Sequence, residues 1–166
     1  IAKANGTGEL ADTVARANQM GTQIASLNQQ ITAAEQRLFN PQQANDLRDQ
    51  REQLVSDLSR LADVAVAEQS DGGWDLDIGG TSFVSGTSVS PLTVQIGATG
   101  PVVAWQNTGA AVSQDGGAIQ ALVDADAYLR SSIAEIDNFA TALADAMNTQ
   151  HAAGFDSLGN PGGDLF

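Results

Sequence analysis

Residues 9–38 read ELADTVARANQMGTQIASLNQQITAAEQRL, and this stretch decides the fold class. Apolar and small residues recur along it at alternating steps of four and three, which keeps one stripe turned toward a partner helix. Asn28 and Glu35 are polar interruptions of that stripe. We therefore predict a long first helix from Glu9 to Leu38 with one buried face. The stripe consists of Leu10, Val14, Ala17, Gly21, Ile24, Ile31 and Leu38, flanked by Met20, Leu27 and Ala34.

A second helix is predicted directly after the first, most strongly from Asp46 to Val64. Asn40 followed by Pro41 marks a stop and a restart, because proline is tolerated in the first turn of a helix. The connector is too short to run the length of a bundle, so the two helices should be antiparallel neighbours. Arg51 falls on the apolar stripe of this helix, where polar residues set register at some cost in stability.

The third predicted helix runs from Ala118 to Ala152 and repeats the same spacing, broken by Asp126. We expect its stripe to be buried against the other two helices. Replacing Ile136 by Asp should then cost several kcal/mol, because it leaves a charge in apolar contact. The stripe is formed by Ile119, Leu122, Leu129, Ile133, Ile136, Ala140, Leu143 and Met147.

Between the second and third helices, the apolar period changes from helical to two. Residues 74–78 and 92–96 alternate apolar and polar side chains, which is typical of half-buried strands. Asp71-Gly72 and Gly79-Gly80 have the composition of hairpin turns that need positive φ angles. We predict three to five short antiparallel strands between Ala65 and Trp105.

The predicted fold is mainly α with a small β insertion. It combines an elongated three-helix antiparallel coiled-coil-like bundle with a short antiparallel β-hairpin or meander subdomain. The expected segments are 1–64 for the first two helices, 65–115 for the β insertion, 116–153 for the third helix and 154–166 for a Gly-rich exit toward a further domain. Because residue 1 is Ile rather than Met, we expect the sequence to be part of a longer protein.

Charge and composition argue against several classes of partner. The formal net charge is −13, and eight acids but no Lys or Arg lie between Arg60 and Arg130. Such a surface repels phosphate backbones and anionic lipid, so neither nucleic acid nor membrane is expected as a partner. The chain has no cysteine, which removes thiolate chemistry and disulfides. A solvated acidic face, a basic partner and loose cation binding all remain compatible with this balance.

The inventory of chemically reactive side chains is poor. His151 is the only histidine, and no second histidine or cysteine can join it as a metal ligand or as nucleophile and base. Near the end of the third helix, its imidazole is expected to bond to unpaired helix carbonyls. Asp71, Asp75 and Asp77 lack the spacing and the closing glutamate of a calcium loop. We predict no enzymatic activity, no cofactor and no metal site.

The second helix contains a string that resembles a known family. Residues 45–54, NDLRDQREQL, are similar to the N-D-L-x-D-Q-R-D-Q-L stretch of flagellar hook-associated protein 1, the hook–filament junction family. The resemblance makes this string a candidate motif for contacts between helices or subunits. Its candidate contact residues are Asn45, Asp46, Leu47, Arg48, Asp49, Arg51 and Glu52.

The end of the third helix carries a second match to the same family. Its sequence resembles the family's N-x-Q-H-x-x-G-x-D-x-x-G exit, and Phe166 corresponds to a later aromatic. The two motifs lie in the family's order on either side of the β segment. The residues of this helix-exit motif are Asn148, Gln150, His151, Gly154, Asp156 and Gly159.

The resemblance implies a structural subunit of the bacterial flagellum that is needed for filament assembly. It implies export by the flagellar type III apparatus and an extracellular location in a ring between hook and filament. The implied partners are copies of itself, the hook protein, and the second junction protein or filament subunits. An export chaperone would bind terminal segments outside this sequence. The alternatives are another axial protein of flagellin type, or a secreted calcium- or carbohydrate-binding domain.

Overall fold

The computed structural model describes residues 2–36, 41–113 and 115–166. The chain forms two compact units, Ile1–Asp126 and Ala127–Phe166. The prediction of a mainly helical protein with a small antiparallel β region is confirmed.

The first two helices are α1 (Ala2–Gln36) and α2 (Pro41–Leu61). α1 begins seven residues earlier than predicted, and Leu38 and Asn40 lie outside the described residues. Pro41 is the first residue of α2, as expected for a residue that lacks a backbone N–H. Late α1 contacts early α2, through Glu35 with Arg48, and earlier α1 contacts later α2 through Asn28 with Arg51. The two helices are therefore antiparallel, as predicted.

The β region has six strands within the described residues, which is more than the three to five predicted. They are β1 (Val64–Glu68), β2 (Trp74–Ile78), β3 (Thr81–Ser85), β4 (Ser88–Val89), β5 (Leu92–Gly97) and β6 (Gly100–Trp105). Strands β1 to β4 form one antiparallel sheet in sequence order, and β5 and β6 form a second. Gly79 and Gly80 have φ angles of 58° and 73°, so the predicted β2–β3 turn uses the left-handed region that favours glycine.

A single core joins the helices to both sheets. On the helix side it contains Leu10, Val14, Ala17 and Ile24, so the buried stripe predicted for α1 is confirmed. Part of its partner is not a helix, however. The core also includes side chains from β2, β3, β5 and β6, because α1 lies against both sheets. These strand residues are Leu76, Ile78, Phe83, Val84, Leu92, Val103 and Trp105.

Gly21 marks the closest approach of α1 to the sheet. A Cβ atom at this position would lie 2.7 Å from Cε1 and Cζ of Phe83, closer than carbon atoms pack. Phe83 is fully buried and contacts Trp105, with ring centroids 6.4 Å apart. Glycine in this helix interior therefore makes room for an aromatic ring from β3.

The third helix, α3 (Gly117–Ala152), begins one residue before the predicted start. Ile119 is fully buried, and Leu122 and Val123 pack partly against the core of the first unit. The prediction that the whole stripe is buried is wrong. Ile136 is 66% exposed, and the apolar side chains that follow Asp126 on the stripe are similarly open. The exposed stripe residues are Leu129, Ile133, Ile136, Leu143 and Met147.

Candidate functional site

The contact motif on α2 is divided between two faces of the helix. Arg51 points into the protein and is 1% exposed, and Leu47 is half-buried. The polar members at steps of three to four face solvent, because the helical repeat places them opposite the buried stripe. These exposed members are Asn45, Asp46, Asp49 and Glu52.

Arg51 is the centre of a buried polar cluster. Its Nη1 donates hydrogen bonds to Oδ1 of Asn28 (2.9 Å) and to the carbonyl oxygen of Gly72 (2.8 Å). Its guanidinium lies over the ring of Trp74, 4.1 Å from the centroid, in a cation–π arrangement. Burial lowers the pKa of Arg51, and the negative charge of Glu68 opposes that shift. Arg51 therefore links α2 to the turn between β1 and β2.

Arg51 is not fully satisfied. Within the described residues, Nε of Arg51 and Nε1 of Trp74 are buried without a hydrogen-bond acceptor. Two buried donors left in this state cost free energy, which offsets part of the stabilisation that the other contacts of the cluster provide.

Asn28 completes the cluster from the side of α1. Its Nδ2 donates to the carbonyl oxygens of Trp74 (2.8 Å) and Gly86 (2.9 Å), and its Oδ1 accepts from the amide of Trp74 (3.1 Å). Gly86 also donates its amide to Oδ1 of Asp75 at 2.7 Å. One α1 side chain thus bonds to the backbone of two hairpins. In the sequence, Asn28 stands out only as a polar residue within the apolar stripe of the first helix. That interruption was the available signal of its role in the cluster.

Arg48 differs from Arg51 because it stays at the surface. It forms an ion pair with Glu35 of α1 and donates a 2.9 Å hydrogen bond to Oδ1 of Asn45. Its side chain is 39% exposed, so solvent screens the attraction. The ion pair aligns the two helices but adds little to stability.

The helix-exit motif folds the end of the chain back onto the last turns of α3. Oδ1 of Asn148 accepts from the amides of Leu165 (2.7 Å) and Phe166 (3.1 Å), and its Nδ2 donates to the carbonyl of Phe166. Nδ1 of His151 lies 2.6 Å from the carbonyl oxygen of Gly163 and must donate, since that oxygen only accepts. The predicted bond from His151 to a helix carbonyl is therefore replaced by one to the exit segment.

Asp156 organises the turn within this exit segment. Its Oδ1 accepts from the amides of Leu158 (2.8 Å) and Asn160 (2.9 Å), and its Oδ2 accepts from Nδ2 of Asn160 (2.8 Å). The hydrogen bonds from Asn160 and Leu158 lower the pKa of Asp156. Gly159 has a φ of 84°, which the tight turn requires.

The remaining exit residues line an open groove of about 490 Å³ at the end of α3. Gly154 donates its amide to the carbonyl of His151 (3.0 Å) and closes the helix. Gln150 lies in the wall of the groove, beside Met147 and Leu165. The groove is built from one helix turn and the segment that folds back on it.

Two of the three acidic residues considered for calcium accept hydrogen bonds from protein donors. Asp75 accepts from Gly86 and from Nε2 of Gln69 (2.9 Å), and Asp71 accepts from the amide of Gly73 (3.0 Å). In the described ranges, no group of three or more His, Asp or Glu side chains is arranged to hold a metal ion. The helices there also include none that is long and apolar enough to span a membrane.

Comparisons with known proteins agree with the two motifs. Residues 2–166 match the family model described as the flagellar hook-associated protein FlgK helical domain. Flagellar hook-associated protein 1 of Salmonella typhimurium (strain LT2) is 31% identical over 171 residues, covering 95% of this chain and 30% of that protein. The Escherichia coli K12 protein of the same name is 32% identical, covering 93% of this chain and 30% of its own length.

A solved structure shows the same fold. The flagellar hook junction protein FlgK from Burkholderia pseudomallei superimposes with a TM-score of 0.81 at 31% identity, covering 98% of this chain and 31% of that one. This chain therefore spans about a third of the length of the relatives that it matches. It belongs to the family of the flagellar hook-associated protein FlgK, and residues 2–166 match that family's helical domain.

Proposed function

We propose that this chain is the helical domain of a structural subunit that joins the flagellar hook to the filament. The observation that carries the proposal is the family match over residues 2–166, which includes both the α2 motif and the helix-exit motif. The printed names of the relatives describe hook-associated and hook junction proteins. The role requires surfaces for docking rather than reactive groups, so the proposed subunit is not an enzyme and needs no cofactor.

The proposed partners are other axial components of the flagellum. Copies of the subunit would assemble in a ring, with the hook protein on one side and the second junction protein or filament subunits on the other. Ring contacts of this kind are heterologous, because a different patch of each copy meets its neighbour. Export by the flagellar type III apparatus, an extracellular position and an export chaperone acting on segments outside this sequence belong to the same proposal.

We assign different roles to the two halves of the α2 motif. Arg51 holds the hairpins against the helices, so it acts within the subunit. The side chains of Asp46, Asp49 and Glu52 face solvent and can meet a neighbouring subunit. Asn45 is exposed beside them and also accepts a hydrogen bond from Arg48. The helix-exit motif has a third role. The hydrogen bonds that Asn148 and His151 form with residues 163–166 fix the direction in which the chain leaves α3.

A gene deletion tests the overall proposal. In the bacterium that makes this protein, cells without the gene should keep their hooks, lose their filaments and release filament protein into the medium. Gold-labelled antibody against residues 2–166 should decorate the hook–filament boundary in the wild type. Normal filaments in the deletion strain, or label spread along the filament, would contradict the proposal.

A pair of charge reversals tests the assigned surface. Asp49→Lys with Glu52→Lys should block filament growth in complemented deletion cells, while the purified chain keeps its melting temperature. The matched control reverses two exposed acids on α1, Glu9→Lys with Asp12→Lys, and should leave motility intact. Equal motility of the two double variants would remove the α2 face from the subunit contact.

A further inference from the structure

β1 is an open edge of the four-stranded sheet. In the part of the chain that the structure describes, it pairs with β2 and with no other strand. The amide of Gln69 donates to the carbonyl of Gly73 at 2.8 Å, so these two opposite residues form a hydrogen-bonded pair at the end of the β1–β2 ladder. Because such pairs alternate along an antiparallel ladder, the backbone groups of Val64, Val66 and Glu68 point away from β2. A row of main-chain donors and acceptors therefore faces outward along β1.

The inner face of the sheet is also open at this edge. Val66 lies opposite Leu76 in the register, so the two side chains share the face that is turned toward the core. Leu76 is fully buried, but Val66 is 44% exposed. The apolar surface of the core thus continues to the edge of the sheet, and a strand added beside β1 would cover it.

The outer face of the same edge is acidic. Ala65 and Ala67 lie opposite Asp77 and Asp75, so two carboxylates stand one strand away behind small side chains. The sequence between Arg60 and Arg130 contains no Lys or Arg. A strand added at β1 would lie two strand spacings, about 9.6 Å, from the strand that carries these aspartates. Lys or Arg side chains on the added strand are long enough to extend over Ala65 and Ala67 toward the carboxylates.

The residues of β1 do not protect this edge. Natural edge strands are blunted by Lys, Pro, a bulge or a covering loop, because an open edge pairs with foreign strands. β1 reads VAVAE, and only its last residue is charged. An edge of this kind either has a partner or favours aggregation.

We propose that β1 binds an extended segment of a partner protein as an additional strand, and that the side chains of this segment alternate between apolar residues and Lys or Arg. The apolar side chains cover Val66 on the inner face, and the basic ones lie over Ala65 and Ala67 near Asp75 and Asp77. The acidic surface disfavours a second copy of this chain as the occupant, since its own strands carry no basic residue. The proposal stands apart from the assignment to the flagellar junction.

Peptide titration tests the proposal on the 166-residue chain. The probes are acetyl-KVKVKVK-amide and the matched acetyl-EVEVEVE-amide, followed by ¹⁵N–¹H NMR. The basic peptide should bind at least about tenfold more tightly, with amide shifts concentrated at Val64, Val66 and Glu68. Equal affinity for the two peptides, or shifts spread along the acidic surface of α3, would overturn the proposal. Dimerisation of the chain through β1 without peptide would overturn it as well.

Two substitutions separate strand addition from simple charge attraction. Val66→Pro removes the outward N–H but no ladder bond to β2, and it should weaken binding of the basic peptide at least about tenfold. Val66→Thr keeps the N–H and the branched shape, so it should bind like the wild type. Asp77→Asn should weaken binding of the basic peptide several-fold, and it should not weaken binding of the acidic peptide, because a repelling charge is removed. Wild-type affinity for the basic peptide in either Val66→Pro or Asp77→Asn, measured in whichever of the two folds, would refute the proposal.

Discussion

α1 and α3 carry the same apolar spacing but differ in what they bury. The apolar stripe of α1 is covered by other parts of the protein, and Ile24 and Ile31 on it are fully buried. The stripe of α3 is fully buried only at Ile119, and the large apolar side chains of the stripe beyond Asp126 are between 41% and 66% exposed. Periodicity therefore identifies which face of a helix is apolar. It does not identify what covers that face.

The partner of α1 shows why the two helices differ. Its stripe lies against α2 and also against β3 and β5, which come from the long connection between the second and third helices. The exposed part of α3 belongs to a separate compact unit of only forty residues, Ala127–Phe166. A unit of that size has few apolar groups with which to cover a long helix.

The largest expected difference between α1 and α3 comes from making the same substitution in both helices. Ile24→Asp should cost at least about 4 kcal/mol, because a carboxylate would replace a fully buried side chain. Ile136→Asp should cost less than about 0.5 kcal/mol, because that site is open to water. Urea unfolding of both variants measures the difference. If Ile24→Asp does not fold, Ile24→Ala should still lose about 2–5 kcal/mol.

A second substitution separates the buried cluster from the surface ion pair. Arg51→Ala should cost roughly 3 kcal/mol, because it removes a buried group that donates to Asn28 and Gly72 and packs on Trp74. Arg48→Ala should cost about 0.5 kcal/mol or less, since its ion pair with Glu35 is screened by solvent. Denaturant midpoints and tryptophan fluorescence measure both changes. Equal losses would show that burial is not what distinguishes the two arginines.

A smaller effect tests the contact between α1 and the sheet. Gly21→Ala should destabilise by about 1–3 kcal/mol, because the new methyl overlaps Phe83 in a packed core. Gly8→Ala has nothing within 4 Å of its added Cβ. It should therefore stabilise α1 by roughly 0.5–1 kcal/mol through helix propensity. Adding Phe83→Leu to Gly21→Ala should recover part of the loss, and thermal unfolding measures all three variants.

The smallest effect is local and depends on pH. Hydrogen bonds in the folded turn lower the pKa of Asp156, so their stabilisation is complete above about pH 4, the ordinary range of an aspartate. It is lost as the pH falls through the lowered pKa of the folded state. The amide protons of Leu158 and Asn160 should therefore move upfield and lose their protection only as the pH falls below the ordinary pKa of an aspartate. Asp156→Asn should abolish this titration, and a midpoint at the ordinary aspartate value would contradict it.

The elements were largely predictable because each depends on local rules. The turns at Asp71-Gly72 and Gly79-Gly80 need positive φ angles, and the start of α2 follows from Pro41. The number of strands was underestimated because β4 has only two residues and carries no period that a sequence can display.

The candidate site was predictable only in part. The α2 motif identified Arg51, and the helix-exit motif identified His151, but neither gave the partner of its side chain. The cluster also includes hairpin residues that lie 21 to 58 positions along the chain from the side chains that they bond. These residues are Gly72, Trp74 and Gly86. Such contacts depend on the path of the whole chain, which no local pattern records.

The sequence by itself determined the helices, the turns, the acidic surface and the family, since these follow from spacing, composition and two short motifs. The tertiary structure alone decided that a sheet covers α1, that Arg51 is buried while Arg48 is not, and that much of α3 stays open. The physical reason is that an apolar stripe or a polar side chain has many acceptable partners. Only the folded chain selects one, by bringing distant segments within the few ångströms over which packing and hydrogen bonds act.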